Sequence, residues 1–469
     1  MAFLKLEPFS GKGVLIPVIK TKGQMKSGNF TGGIIWKQLI LFALPLLGSS
    51  FIQQLYNTVD LIFVGRFIGK EASAAIGASS LIITCLVGFF SGMSVGSSVV
   101  ISQIFGSNDK IRLRRAVHSA IGLSLIGGFF LMGIGYIGAP VFLKWMNTPV
   151  SILPTAVSYL RIYFLSLVSI LLYNIGAGIL RAVGNSRVPM YCQLFGGIIN
   201  VIMDAVFVVA FKNGINGVAW ATLLSQSAAG LLVFFYLMRT PEGFRVEIKN
   251  LRIHIDIFKE ILKVGIPAGI QSLVITLSNV FAQYHINGLG VDAIAAFTAY
   301  FKVELVMYLP IVALGQTIMT FSGQNYGAGK YKRVRQGTKM CICLGIGLIV
   351  SIGILTLVFI EPAFGIFTRD ASVIYYGKRI AQISFPFYGI YVILEILGGA
   401  IRGMGKAIPP MIIILLNICL LRSILLFVLM PIYPDVRTVA ATYPITWTTT
   451  AICMTLCSKR FLQKKCNVR

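Results

Sequence analysis

The chain has 469 residues, of which 56% are hydrophobic and only 12% charged. A soluble domain carries about twice that share of charge, so a water-soluble enzyme of several domains is excluded and a polytopic membrane protein is implied. The formal net charge of +26 would suit a nucleic-acid binder, but in so apolar a chain it reads as basic loops on one side of a membrane.

In chain order, hydrophobic runs between charged or turn-rich breaks predict spans near 35–64, 76–104, 117–143, 156–179, 188–211 and 216–238 in a first group. A second group follows near 259–286, 295–324, 337–360, 375–400, 409–431 and 437–457. Runs of this length without period-2 alternation are helices, not barrel strands. The expected fold is therefore all-α and membrane-integral, with twelve transmembrane helices. About five basic residues lie on the side of the termini and even-numbered connections for each one opposite, which predicts that both termini are cytoplasmic. Residues 1–34 read as a cytoplasmic tail, since Pro8, Gly11, Gly13 and Pro17 break up any signal-like run, and Met25 is an alternative start. The cysteines fall mostly inside spans and read as small core residues.

An internal repeat divides the chain. Pro45 and Asn57 match Pro267 and Asn279 at an offset of 222. After one deletion the offset becomes 221: Gln103-Ile104-Phe105-Gly106 matches Gln324-Asn325-Tyr326-Gly327, and Leu180-Arg181-Ala182-Val183-Gly184 matches Ile401-Arg402-Gly403-Met404-Gly405. This predicts two six-helix bundles, 35–238 and 259–457, in parallel duplication about a pseudo-twofold axis. A 239–258 linker joins them, and a basic tail, 458–469, follows. Transporters built this way hold substrate between the halves and rock one against the other.

The run Pro45-x-x-Gly48, Gln53-Gln54-Leu55-Tyr56-Asn57-Thr58-Val59-Asp60 and Val64-Gly65 resembles the first-helix signature of bacterial MATE (multidrug and toxic compound extrusion) transporters. Gly323-Gln324-Asn325-Tyr326-Gly327-Ala328-Gly329 resembles a second signature of that family. The resemblance covers roughly 35–457. It implies a multi-pass exporter of the cell (inner) membrane, working as a monomer without a cofactor. Such a protein moves amphiphilic, often cationic, small molecules against H⁺ or Na⁺, with no nucleic-acid partner. A lipid-linked saccharide flippase of the same superfamily is the alternative. It would need a cavity lined with Arg and Lys, for which only Lys302 and Arg422 are on hand.

A charge at mid-bilayer costs roughly 2.5–3.5 kcal/mol on insertion scales, so an ionisable residue deep in a span is a functional candidate. Gln53, Asn57 and Asp60 fall at i, i+4 and i+7 on one helix face, and Asn200 and Asp204 at i and i+4. Carboxylate and amide oxygens suit a proton or a hard cation such as Na⁺, and a carboxylate removed from water becomes a usable proton carrier. The resemblance implies cation coupling at Asp60 and Asp204, with Asn57 and Asn200 accompanying them. These acids align with Ala282 and Leu425, so the first half is the expected ion site.

In the second half Glu304, Glu395 and Arg422 form a candidate polar site. Arg422 is expected to pair with one of the acids, because an unpaired buried charge is costly. Lys302, near a span end, is expected to reach the interface. Gln53, Tyr56, Tyr173, Met307, Tyr308 and Tyr388 are candidate cavity residues, able to offer aromatic faces and soft packing to flat cations. Pro45, Pro267, Pro310 and Pro386 are candidate kinks. No GxxxxGK[ST] or HExxH occurs, and the three histidines are scattered, so neither ATP hydrolysis nor a resident metal is indicated.

Overall fold

The computed structural model describes residues 28–464. The readings of a broken signal run and of Met25 lie outside the described residues. Among these the chain is helical without strands. The first half comprises α1 (Ile35–Phe63), α2 (Lys70–Gly106), α3 (Lys110–Trp145), α4 (Leu153–Leu165), α5 (Leu167–Ala182), α6 (Arg187–Asp204) and α7 (Gly214–Arg239). The second comprises α8 (Ile255–Asn287), α9 (Val291–Gly327), α10 (Tyr331–Val358), α11 (Ile360–Gly365), α12 (Ala371–Ser384) and α13 (Tyr388–Gly403). It closes with α14 (Ile408–Ile414), α15 (Arg422–Leu429) and α16 (Val436–Lys464).

Ten of the helical segments are long and apolar enough to cross a membrane, or eleven if α4 and α5, bent by 40°, form one span. The last expected span, α16, has 29 residues but is studded with threonine and falls short of that apolarity. It also runs on to Lys464, through part of the stretch expected to be a tail. Pro45, Pro267 and Pro310 sit inside continuous helices, whereas Pro386 lies in a 3₁₀ turn, Phe385–Phe387, that separates α12 from α13. The ring removes one backbone donor and crowds the preceding turn, which is why the helix gives way there.

The backbone repeats as the sequence does. Gly69 and Gly290, Asn108 and Gly329, and Gly184 and Gly405 all have left-handed φ, and each pair is 221 residues apart. At Gly184 and Gly405 the helix ends in the same way, with Asn185 N–H donating to Leu180 O (2.8 Å) and Lys406 N–H to Ile401 O (3.2 Å). The slip from 222 to 221 has a physical place. Between Asn57 and Gly69 the first half has one residue more than its counterpart, and the wide π-helical turn Val64–Ile68 lies in that stretch. A π turn takes up one extra residue without ending the helix, and such turns gather at functional sites.

The halves exchange their first turns. Leu39 and Phe42 of α1 are buried in the core built by α9, α10, α13 and α16, while Ile257 and Ile261 of α8 are buried in a core of the first half. α2 and α8 cross closely, since a Cβ on Gly92 would lie 2.1 Å from Gly269 N and one on Gly96 2.5 Å from Ile261 O. At the opposite end of the spans Val64–Ile68 and α4 pack mainly within the first half, and α11, α12 and α15 within the second. The halves therefore close on each other at the basic end, where the first turns of α3 and α10 and the residue before α10 carry Arg112, Arg114, Lys330 and Arg333, and part toward the other. Of the described cysteines, only Cys192 and Cys341 are buried; Cys343 is exposed and Cys85, Cys419, Cys453 and Cys457 are half-buried, so most of these are not the core residues expected.

Candidate functional site

The first half brings Asp60, Asn200 and Asp204 together. Asp204 ends α6 and is followed directly by a second π-helical turn, Ala205–Ala210, which packs on Val64–Ile68 just beyond Asp60. Asp204 and Asn200 are 0% and 1% exposed. The three side chains face one another closely enough to interact, and Tyr159 and Tyr163 of α4 stand within electrostatic reach. Yet Asp60 Oδ1, both carboxylate oxygens of Asp204 and both amide atoms of Asn200 are buried without a hydrogen-bond partner. Buried polar atoms are nearly always satisfied, so five orphans in one cluster call for an occupant. Four of the five are oxygens, a donor set suited to a proton or a hard monovalent cation, and Asn200 Nδ2 is the lone exception.

Of the accompanying residues, Asn57 is exposed and stands outside this orphaned cluster, and Gln53 is exposed as well. Tyr56 extends the polar interior, its hydroxyl accepting from Gln193 Nε2 and Gln226 Nε2 at 3.4 Å each. Those two glutamines were not singled out in the sequence, because a glutamine in a span carries no charge to draw the eye. Tyr173 is buried in the first-half core with its hydroxyl on Pro189 O (3.2 Å).

The second half holds its charges differently. Glu395 Oε1 accepts from Arg402 Nη2 at 2.8 Å, and Arg402 Nη1 also donates to Gln271 Oε1 at 3.1 Å. Glu304 accepts from the Tyr388 hydroxyl. Arg422 does not pair with either acid as expected: it is 3% exposed and donates to Thr446 Oγ1 (3.2 Å) and Ser278 Oγ (3.5 Å), with its guanidinium 4.3 Å from the Tyr443 ring centre. Cation–π contact and neutral hydroxyls take the place of a counter-ion. The partner of Glu395 is Arg402, the arginine of the repeated motif Ile401-Arg402-Gly403-Met404-Gly405, in the last turn of α13. Met307 and Tyr388 are 0% and 1% exposed and packed inside the second-half core, so they do not present a cavity surface. Tyr308 is half-buried and packs on Tyr391 with ring centres 6.1 Å apart, and Lys302, eleven residues into α9, is exposed. Among the described residues no cluster of three or more His, Cys, Asp or Glu is gathered for a metal.

Two bundles related by a repeat, closed at one end and each with a polar interior, narrow the field to paired-bundle membrane proteins. The MatE family model matches this chain twice, at residues 45–206 and 267–428, which together make up more than half of it. The chain belongs to the MatE family. It is 28% identical to the probable multidrug resistance protein YoeA of Bacillus subtilis over 81% of this chain and 83% of that one. It is 24% identical to the multidrug export protein MepA of Staphylococcus aureus over 80% and 82%. The fold matches a solved structure described as the outward-facing conformation of a multidrug resistance MATE family transporter, with a TM-score of 0.89 and 20% identity over 95% of this chain and 100% of the other. The two MatE matches begin at Pro45 and Pro267, the residues that open the repeat.

Proposed function

We propose that this MatE protein is a cell-membrane exporter of amphiphilic, often cationic, small molecules, driven by antiport of H⁺ or Na⁺ through alternating access between its halves. The observation that carries the reading is the orphaned cluster of Asp60, Asn200 and Asp204. A carboxylate pair that is buried at Asp204, half-buried at Asp60 and without a counter-ion gains most from capturing a cation, so ion binding favours the arrangement that encloses it. Drug binding in the space between the halves favours the other arrangement, and reciprocity of coupling makes each ligand expel the other. The names of the relatives support drug efflux. The excess of basic residues at the closed end supports a cytoplasmic side for it, with the parted end facing out. Proteoliposomes carrying the intact protein should expel a cationic dye when given a Na⁺ or a proton gradient, and the gradient that works identifies the ion. Dye efflux equally fast in Asp204→Asn would overturn the ion site.

A further inference from the structure

At the basic end the two halves are held by a reciprocal pair of contacts. Gln103, near the end of α2, donates from Nε2 to Gly403 O at 2.8 Å, and Gln324, near the end of α9, donates from Nε2 to Ala182 O at 2.8 Å. Both bonds cross between the halves, and both donors and both acceptors are 221 residues apart. The backbones meet in the same symmetric way: a Cβ on Gly106 would lie 1.9 Å from Gln324 O, and one on Gly327 1.9 Å from Gln103 O. Between them a Cβ on Gly323 would lie 2.0 Å from Ser102 Oγ, two positions that are repeat mates touching each other. The pseudo-twofold axis thus passes through this contact.

The symmetry is broken on one side only. Gln324 Oε1 accepts the N–H of Phe30 (2.9 Å), while Asn325 Nδ2 and Arg333 Nε both donate to Phe30 O. Gly28 lies against Gly184 of the first half, where a Cβ on Gly184 would sit 2.1 Å from Gly28 O. Residues 28–33 therefore run across the junction as a strap, touching the first half through Gly184 and the second through Gln324, Asn325 and Arg333.

We infer that Gln103 and Gln324 form a two-part clasp that holds the basic end shut, with residues 28–33 as a bolt over the Gln324 side. The bonds suit a gate rather than a permanent joint. Each is a single neutral hydrogen bond to a backbone carbonyl at the end of a helix, and such bonds contribute little net free energy. Water replaces them when the ends part, so closed and open forms stay close in energy. The motif glycines let the helix ends touch without side chains in the way, and the contact reforms in one register. The clasp rests on the alternating-access reading above, whose closed side it supplies.

Hydrogen–deuterium exchange on the full chain in nanodiscs, without any ion gradient, tests it. Gln103→Ala should speed exchange in 400–406, and Gln324→Ala in both 180–186 and 28–34, each by about fivefold, the worth of one hydrogen bond. Gly327→Ala, which wedges the helix end against Gln103, should do so more strongly. The signature of a gate is the opposite sign elsewhere: segments at the parted end, 143–152 and 365–371, should exchange more slowly as the basic end opens. Unchanged exchange at the clasp, a uniform rise over the chain, or no slowing at the parted end would each overturn the clasp. Localised opening in a protein that shows no gradient-driven efflux would leave the clasp standing and sink the antiport reading instead.

Discussion

The interiors of the two halves grew from one repeat and now differ in how they hold their charges. In the second half each buried charge has partners: Glu395 has Arg402, Glu304 has the Tyr388 hydroxyl, and Arg422 has Thr446, Ser278 and the face of Tyr443, although its Nε is left without one. In the first half Asp60 and Asp204 face only each other, Asn200 and neutral phenols, with five polar atoms left unsatisfied. A satisfied charge fixes a structure. An unsatisfied pair costs stability that the protein recovers only when something binds, which is how a site built for an exchangeable ion differs from a structural one. Wide π turns occur in both halves, Leu415–Leu421 leading into Arg422 in the second, but only in the first do two of them, Val64–Ile68 and Ala205–Ala210, pack on each other just beyond a pair of aspartates.

Substitution of the acids should break the comparison most visibly in transport. Asp60→Asn and Asp204→Asn remove the charge that captures the ion, and gradient-driven dye efflux should fall on the order of tenfold or more, the range of typical coupling energies. Glu395→Gln leaves that site untouched and should keep the dependence on the gradient in whatever protein folds. Equal loss of ion dependence in all three variants would erase the distinction between the halves.

Stability should then move in opposite directions. Arg402→Met leaves Glu395 without its cation in a site where the two side chains are 10% and 20% exposed, and should lower stability by about 3 kcal/mol. Asp204→Asn removes one of two facing unpaired acids and should raise stability in Na⁺-free buffer by about 1 kcal/mol, the usual sign of a site that trades stability for function. Thermal unfolding of both variants in the same detergent reads the two shifts, and a drop in both would mean that the first-half cluster is structural.

The class of fold, the repeat and both aspartates were legible in the sequence, because long apolar runs, a fixed register and a charge inside a span are each visible in one dimension. Asn200 was legible too, since i and i+4 share a helix face. Asn57 shares a face with Asp60 on the helical wheel but is exposed, because the wheel does not say which neighbour the face meets. The partner of Glu395 was missed for a different reason. Arg402 and its repeat mate Arg181 sit in the last turns of their helices among many basic residues at that end, and one dimension does not tell an arginine that faces a buried acid from one that faces the loops. Met307 and Tyr388 were misplaced because a soft or aromatic side chain fits a core as readily as a cavity. The exchange of Leu39 and Phe42 for Ile257 and Ile261 is tertiary, and no local pattern announces it.

The smallest expected effect tests whether pairing matters outside the membrane as it does within. Glu247, in the connection between the halves, accepts from Arg114 and from Asn250 Nδ2 (2.6 Å), and its N–H donates to His118 Nε2 (3.0 Å). Partial burial would raise its pKa, but the bonds from Asn250 and Arg114 outweigh that and hold the carboxyl below its ordinary 4.5. A depressed carboxyl stabilises the folded form at pH above its unfolded value, and that contribution is lost as pH falls through the folded one. Protection of the amides in 244–254, taken relative to their intrinsic exchange rates, should therefore fall as the buffer is taken below pH 4.5, while neutral pH leaves the connection at its tightest. Because the pair is exposed to solvent and screened, the change should be about twofold or less and should shrink further in high salt. Glu247→Gln should show the looser connection already at neutral pH and no further response to acid. An acid response that survives in Glu247→Gln would assign it to another group and leave pairing in the connection without measurable weight.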